Sequence, residues 1–280
     1  MGCGIEQIMA DVSKAIQEDV GSGDITGLLI DENQTAKAYI KTREPMVLCG
    51  IEWAENAFHL LDSDIRLQWH YRDGDNIQPN EILCVIEGTA RNILTAERTA
   101  LNFLQTLSAT ATQTQRYVKA LSGTKTTLLD TRKTIPGMRL AQKYAVYCGG
   151  GHNHRFGLFD AFLIKENHII ACGSITDAIK NARALLPDKK LEIEVETMNE
   201  FQEALVASPD IIMLDNFDLR KIHMAMDIRA KSFHSNISLE ISGNITLENI
   251  RTFAETGVDY ISTGAITKNI EAIDLTLLFT

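Results

Sequence analysis

Apolar residues along this chain change their spacing twice. Ile5, Ile8, Met9, Val12 and Ile16 recur at helical intervals, which predicts an amphipathic helix over residues 5–19. Short strand-like runs follow at 36–41, 46–49, 65–71 and 82–87, with one helix-like stretch at 52–61 among them and an Asp73-Gly74-Asp75 turn between the last two. From 92 to 121 the spacing turns helical again, carried by Leu94, Leu101, Leu104, Leu107 and Val118. After that, strand and helix alternate. Apolar runs at 127–130, 161–165, 191–196, 211–216, 237–242 and 260–264 are separated mostly by helical stretches at 139–148, 175–186, 199–206, 218–230 and 247–255. Alternation of this kind predicts parallel strands with helical crossovers. Two domains are expected: a smaller α+β domain over 1–112 and a β/α domain over 113–280, with the last residues packing back on the first domain.

The strand ends choose between an open sheet and a barrel. Each run finishes in polar residues or glycine: Asp130, Lys165, Glu194 with Glu196, Asp215, Ser242 and Gly264. An open sheet gathers its site at one switch point, whereas a β/α barrel builds it from the C-terminal ends of several strands. Six strands fall short of eight. The expected fold is therefore α/β, an irregular, incomplete six-stranded β/α barrel beside the smaller α+β N-terminal domain.

Strand 191–196 carries Glu192, Glu194 and Glu196 on one face and Leu191, Ile193 and Val195 on the other. Helices outside a barrel need the apolar face, so the carboxylates are expected to turn inward, where they require a cation or hydrogen-bond donors. A solvated edge strand is the alternative.

Charge changes the picture most between residues 130 and 168. The whole chain has 27 basic and 37 acidic side chains and a net charge of −10. That one segment holds Arg132, Lys133, Arg139, Lys143, Arg155 and Lys165, with His152, His154 and His168, against Asp130, Asp160 and Glu166. Its glycines at 149–151 and 137 suit a loop that closes on a small anion. The acidic total argues against a nucleic-acid partner, and no apolar run is long enough for a membrane helix. No basic, then apolar, leader opens the sequence, and Gly2 lacks the downstream hydroxyl of a myristoylation signal, so a cytoplasmic protein is expected. Cys3, Cys49, Cys84, Cys148 and Cys172 show no paired spacing and read as reduced thiols, Cys148 and Cys172 beside the basic segment as small buried hydrophobes.

Two turns, Ser242-Gly243-Asn244 and Thr263-Gly264-Ala265, follow the last two strands, where barrels commonly hold a phosphate. Glu194 and Asp215 end successive strands and suit Mg²⁺ or sugar hydroxyls; Asp215-Asn216 equally suits a helix N-cap. His154 and His168 lack the spacing of a metal pair, and hydrogen bonding to an anion is the simpler expectation. His59, His70, His223 and His234 read as surface residues.

These residues stand in longer strings: EDVGSGDIT (18–26), TAERTALNFLQTLSATAT (95–112), DTRKTIPGMR, KYAVYCGGGHNHRFGLFDAFLIKENHI, EVE, IIMLDNF, SGN and ETGVDYISTGAITK. In that order they resemble the quinolinate phosphoribosyltransferase family, essentially end to end; His152 departs from the small or aliphatic residue common there. The resemblance implies transfer of phosphoribose from phosphoribosyl pyrophosphate to quinolinate with decarboxylation, giving nicotinate mononucleotide, CO₂ and pyrophosphate for NAD biosynthesis, with Mg²⁺ as cofactor. It implies a homodimer with shared active sites, Arg98 reaching the partner's pocket. Thr131, Arg132, Lys133, His154 and Arg155 are implied to surround the quinolinate carboxylates and pyrophosphate. Lys165, Glu194 and Asp215 then serve the phosphoribosyl group and Mg²⁺, with Lys133, Lys165, Glu194 and Asp215 as the catalytic set. Ser242, Gly243, Asn244, Thr263, Gly264 and Ala265 are implied to hold the 5′-phosphate. A phosphoribosyltransferase for another aromatic acid and a noncatalytic anion-binding barrel are the alternatives. Mere binding has no need of Glu194 beside Asp215.

Overall fold

A computed structural model describes residues 4–280. Gly2 and Cys3, on which part of the sequence reading falls, lie outside the described residues. In chain order the first elements are α1 (Ile5–Val20), β1 (Thr35–Thr42), β2 (Met46–Val47), α2 (Ile51–Leu61), β3 (Arg66–Trp69), β4 (Asn76–Ile77), β5 (Ile82–Thr89) and the long α3 (Ala90–Ala120). The alternating part follows as β6 (Thr127–Leu129), α4 (Arg139–Cys148), β7 (Phe162–Ile164), α5 (Glu166–Cys172), α6 (Ile175–Leu185), β8 (Leu191–Val195), α7 (Met198–Ala207), β9 (Ile211–Asp215), α8 (Leu219–Lys231), β10 (Ser238–Ser242), α9 (Ile250–Ala254), β11 (Tyr260–Ser262) and α10 (Ala265–Lys268). A last strand, β12, covers Leu275–Phe279.

The chain divides into two compact units whose boundaries cross the sequence. One takes the residues up to Gln115 together with Thr134–Gly150 and Ile266–Thr280; the other takes Arg116–Lys133 and Gly151–Ala265. In the first, β12, β1, β5 and β3 form an antiparallel sheet in that order, and β2 pairs β4. Its core gathers Ile8 and Val12 of α1, Trp53 and Phe58 of α2, Ile40 and Ile86 of the sheet, and Leu101 and Leu104 of α3. Each such side chain, taken fully out of water, contributes about 1.5–3 kcal/mol before chain entropy is counted. The apolar face of α1 is the one its helical spacing marks. Ile5 is the exception, 58% exposed at the helix start.

In the second unit all six strands are parallel, ordered β6-β11-β10-β9-β8-β7. The sheet does not close between β6 and β7 among the described residues. His152 partly fills that place, forming a parallel bridge to Leu129, with its N–H on Leu128 O at 2.9 Å and its carbonyl accepting from Asp130 N at 3.1 Å. The glycine-rich loop thus adds a fragment of strand to the free edge of β6. Helices open where side chains satisfy their first N–H groups: Ser174 for α6, Thr197 with Glu200 for α7, and Asp218 for α8. Since Asp218 caps α8, accepting from Lys221 N at 2.9 Å, Asp215 is released from the capping role its position allowed.

Candidate active site

The C-terminal ends of the parallel strands surround a cavity of about 290 Å³, lined by Thr131, Arg132, Lys133, His154, Arg155, Leu163, Lys165, Glu194, Met213, Ser242 and Ser262. Four of the six cations of the basic segment are among them. The other two are not: Lys143 has no exposed surface inside the first unit, and Arg139 Nε donates to Thr134 Oγ1 at 3.3 Å. The expectation of a single six-cation island is corrected there. Both lie on α4, in the first unit, away from the strand ends that line the cavity.

The loop that carries His154 and Arg155 is held from beneath. Asp130, fully buried at the end of β6, accepts from Asn153 Nδ2 at 2.7 Å and from His154 N at 2.8 Å. Asp160 ties the far side, accepting from Phe156 N at 2.6 Å and Gly157 N at 3.1 Å. Between these anchors Arg155 faces the cavity. Burial first, and then the charge of Arg132, lower its pKa from the ordinary guanidinium value. Arg132 itself has a buried Nε with no partner. Two guanidiniums sharing a partly dry cavity form a receptor that is short of negative charge.

The histidines behave differently from expectation. His154 lines the cavity, but its Nδ1 accepts the N–H of Arg155 at 2.7 Å and its Nε2 stands 2.8 Å from Glu192 Oε2. Nδ1 is thus engaged by the protein, while Nε2 is buried beside Glu192 without a well-directed hydrogen bond. His168 caps α5, its Nδ1 accepting from Lys165 N at 3.0 Å. At Nδ1 of both rings the peptide groups of a strand end and a helix start are the partners.

Opposite the arginines stand the carboxylates. The alternation of β8 puts Glu192, 4% exposed, deep in the interior. Glu194 lies one layer higher, its side chain 14% exposed and bonded to Lys165 Nζ. Glu196 reaches solvent. Oxygens of Glu194, Glu196 and Asp215 lie within 4.8 Å of one another. Burial, and then the charge of Glu194, raise the pKa of Asp215, with Lys165 and Lys133 opposing.

Both predicted turns end adjacent strands. Gly243 has φ +98°, and a Cβ there would meet Asn216 Oδ1 at 2.2 Å, so the turn tolerates only glycine. Asn244 Nδ2 reaches that same Asn216 oxygen at 3.2 Å. Gly264 gives clearance of another kind: a Cβ would stand 3.0 Å from Lys133 Cδ and 3.1 Å from its Cβ. Thr263 Oγ1 donates to Ile245 O at 3.3 Å and accepts Ala265 N at 3.1 Å. Arg98, the remaining predicted residue, is exposed on α3 in the first unit. Sequence reasoning missed Glu240, which has no exposed surface and lies 3.7 Å from His154 Nε2. The signal was present: in 237–242 the alternation that flags Glu192 places Glu240 on the face opposite Leu239 and Ile241.

Comparison with known proteins agrees with this architecture over the full chain. Residues 24–108 match the N-terminal domain of quinolinate phosphoribosyl transferase, and residues 110–278 match its C-terminal domain. A probable nicotinate-nucleotide pyrophosphorylase (carboxylating) of Methanocaldococcus jannaschii is 42% identical, covering 95% of each chain. Its Bacillus subtilis counterpart is 40% identical over 93% of this chain and 89% of its own. The solved nicotinate-nucleotide pyrophosphorylase of Francisella tularensis superposes with a TM-score of 0.96 at 47% identity, covering 100% of this chain and 98% of that one. With both domains matched and identities this high over nearly the whole length, the chain belongs to the quinolinate phosphoribosyltransferase family.

Proposed function

We infer that this chain transfers the phosphoribosyl group of phosphoribosyl pyrophosphate to quinolinate and decarboxylates the adduct, releasing nicotinate mononucleotide, pyrophosphate and CO₂ in NAD biosynthesis. The observation that carries the reading is the pair Arg132 and Arg155, two guanidiniums facing one cavity, the first with a buried N–H unpartnered. A dicarboxylate supplies two anionic groups where a monocarboxylate leaves one fork bare.

In this reading Arg132, Arg155 and Thr131 hold quinolinate so that its ring nitrogen faces the ribose C1. The nitrogen lone pair forms the new bond as the bond from C1 to pyrophosphate breaks. Positive charge developing on the ribose is stabilised by Glu194 and Asp215 across the cavity. Lys133 and Lys165 balance the departing pyrophosphate, and the turns Ser242-Gly243-Asn244 and Thr263-Gly264-Ala265 hold the 5′-phosphate. The C2–carboxylate bond then breaks as CO₂ leaves, its electron pair staying on C2 beside the positive ring nitrogen that stabilises it, and C2 takes up a proton from solvent. The oxygen donors of Glu194 and Asp215, close together and with Asp215 raised in pKa beside its neighbour, fit Mg²⁺, which when bound supplies charge neutralisation for pyrophosphate.

The test is turnover with phosphoribosyl pyrophosphate, Mg²⁺ and either quinolinate or nicotinate. Quinolinate is turned over, and kcat/KM for nicotinate is lower by about 10³ or more; comparable rates overturn the reading. A homodimer is part of it, with Arg98 entering the partner's pocket. Mixed subunits of Arg98→Ala and Lys133→Ala, each inactive alone, regain up to half of the activity per dimer once exchanged. No recovery after exchange, verified by native mass spectrometry, removes the shared site. Among the described residues no helix is long and apolar enough to cross a membrane. Cytoplasmic placement belongs to the same reading, supported by the free thiols of Cys49, Cys84, Cys148 and Cys172.

A further inference from the structure

Two carboxyls meet beneath the cavity, and among the described residues no lysine or arginine is bonded between them. Glu240 on β10 has no exposed surface and Glu192 on β8 keeps 4%. The Ser262 hydroxyl approaches Glu240 and favours its ionised form, but both Glu240 oxygens and Glu192 Oε1 remain without a well-directed donor. Two ionised carboxylates here would leave three bare oxygens and place like charges side by side. One proton removes both difficulties, because a carboxylic acid donates to the neighbouring carboxylate. Burial, and then the charge of Glu192, push Glu240 well above the ordinary carboxylate range, with Lys190 opposing only in part. The proton therefore resides on Glu240.

His154 stands on the other side of Glu192. Its Nδ1 accepts from the Arg155 N–H, so the ring proton is on Nε2, which stands 2.8 Å from Glu192 Oε2, off the line of an ideal hydrogen bond. This tautomer also disposes of a metal among His154, Glu192 and Glu240, whose ligand atoms lie close enough to suggest one. Metal on Nε2 would leave the imidazole with no proton at all.

We propose that Glu240 is a positioning residue for the dicarboxylate substrate: its acid O–H donates to Glu192, Glu192 accepts the Nε2 proton of His154, and the imidazole fixes the Arg155 peptide N–H. A side chain that touches no ligand thereby sets where the Arg155 guanidinium stands. The inference rests on the reading of Arg155 as a fork for quinolinate.

Glu240→Gln and Glu240→Leu in the full chain test it. The Gln amide donates in place of the acid O–H and still accepts from Ser262, whereas Leu does neither. Glu240→Leu raises KM for quinolinate about tenfold, the scale of one misaligned charge-assisted bond, and leaves KM for phosphoribosyl pyrophosphate within about twofold. Glu240→Gln restores most of the lost quinolinate affinity. Equal movement of both KM values, or Gln as damaging as Leu, overturns the proposal. Should the Leu variant fail to fold, ¹⁵N-histidine NMR of the wild-type chain decides, with His154→Asn for assignment. An Nε2–H tautomer of the neutral His154 ring supports the hydrogen-bond chain, and an Nδ1–H tautomer refutes it. Absence of any quinolinate turnover by the wild type instead defeats the functional reading and leaves the NMR result standing on its own.

Discussion

Two pairs of carboxyls occupy the second unit one layer apart, and they live under opposite conditions. Glu194 and Asp215 at the strand ends have water, Lys165 and Lys133 within reach. Glu192 and Glu240, one layer deeper, have a histidine, a serine and each other. The upper pair opens onto the cavity, where we propose it meets a cation or a developing positive charge. The lower pair retains a proton and acts as a hydrogen-bonded brace. Side-chain chemistry is much the same in both, so depth alone sets their surroundings apart.

The largest test of that difference is Asp215→Asn. We expect kcat to fall by about 10²–10³ while quinolinate binding, measured by calorimetry, stays within about threefold. Normal turnover with lost quinolinate affinity would place the upper pair on the wrong substrate. Next in size is a contrast along β8. Glu192→Ala removes the acceptor for the His154 Nε2 proton and opens a void, costing about 3 kcal/mol in denaturant unfolding. Glu194→Ala, whose lysine partner is nearly half exposed, costs under about 1 kcal/mol yet abolishes most activity. Equal stability losses at both positions would break the comparison by depth.

The smallest effect is a pH slope. Glu240 is raised in the folded chain and ordinary when unfolded. Below the ordinary carboxylate range both forms are protonated. Above it the unfolded chain releases a proton that the folded chain keeps, so this group's contribution to stability declines with rising pH until the folded pKa is reached. Glu240→Gln lacks the decline. Its melting temperature relative to wild type should therefore climb by a few degrees between about pH 4 and pH 7, and a flat difference would mean that Glu240 is ionised in the fold.

Much of this was legible beforehand because the parallel strands are buried on both faces. The run at 191–196 starts at the observed Leu191 and overshoots the end by one residue, and 211–216 does the same. The carboxylate alternation on β8 showed through as well, since period two needs no knowledge of the partner strand. Other features depended on distant partners and stayed hidden. The segment Leu275–Phe279 has no turn signal to mark it as a strand, and its mate is β1. α5 went unread because its start is capped by its own Lys165 and His168 rather than by a short polar residue. Lys143 and Arg139 looked like ligands for an anion, since charge in a helix reveals nothing about which neighbours the fold will bring to it.

The pairing of β12 with β1, Leu275 opposite Thr42 and Phe279 opposite Ala38, fixes an order of assembly during synthesis. The antiparallel sheet that begins at Thr35 cannot gain its outer strand until Phe279 has left the ribosome. The parallel strands, complete by Ser262, are all available earlier. A nascent chain stalled before Leu275 would thus carry an assembled set of parallel strands and an open β1 edge, a template for strand addition by other chains. Pairing of Leu275–Phe279 with β1 covers that edge.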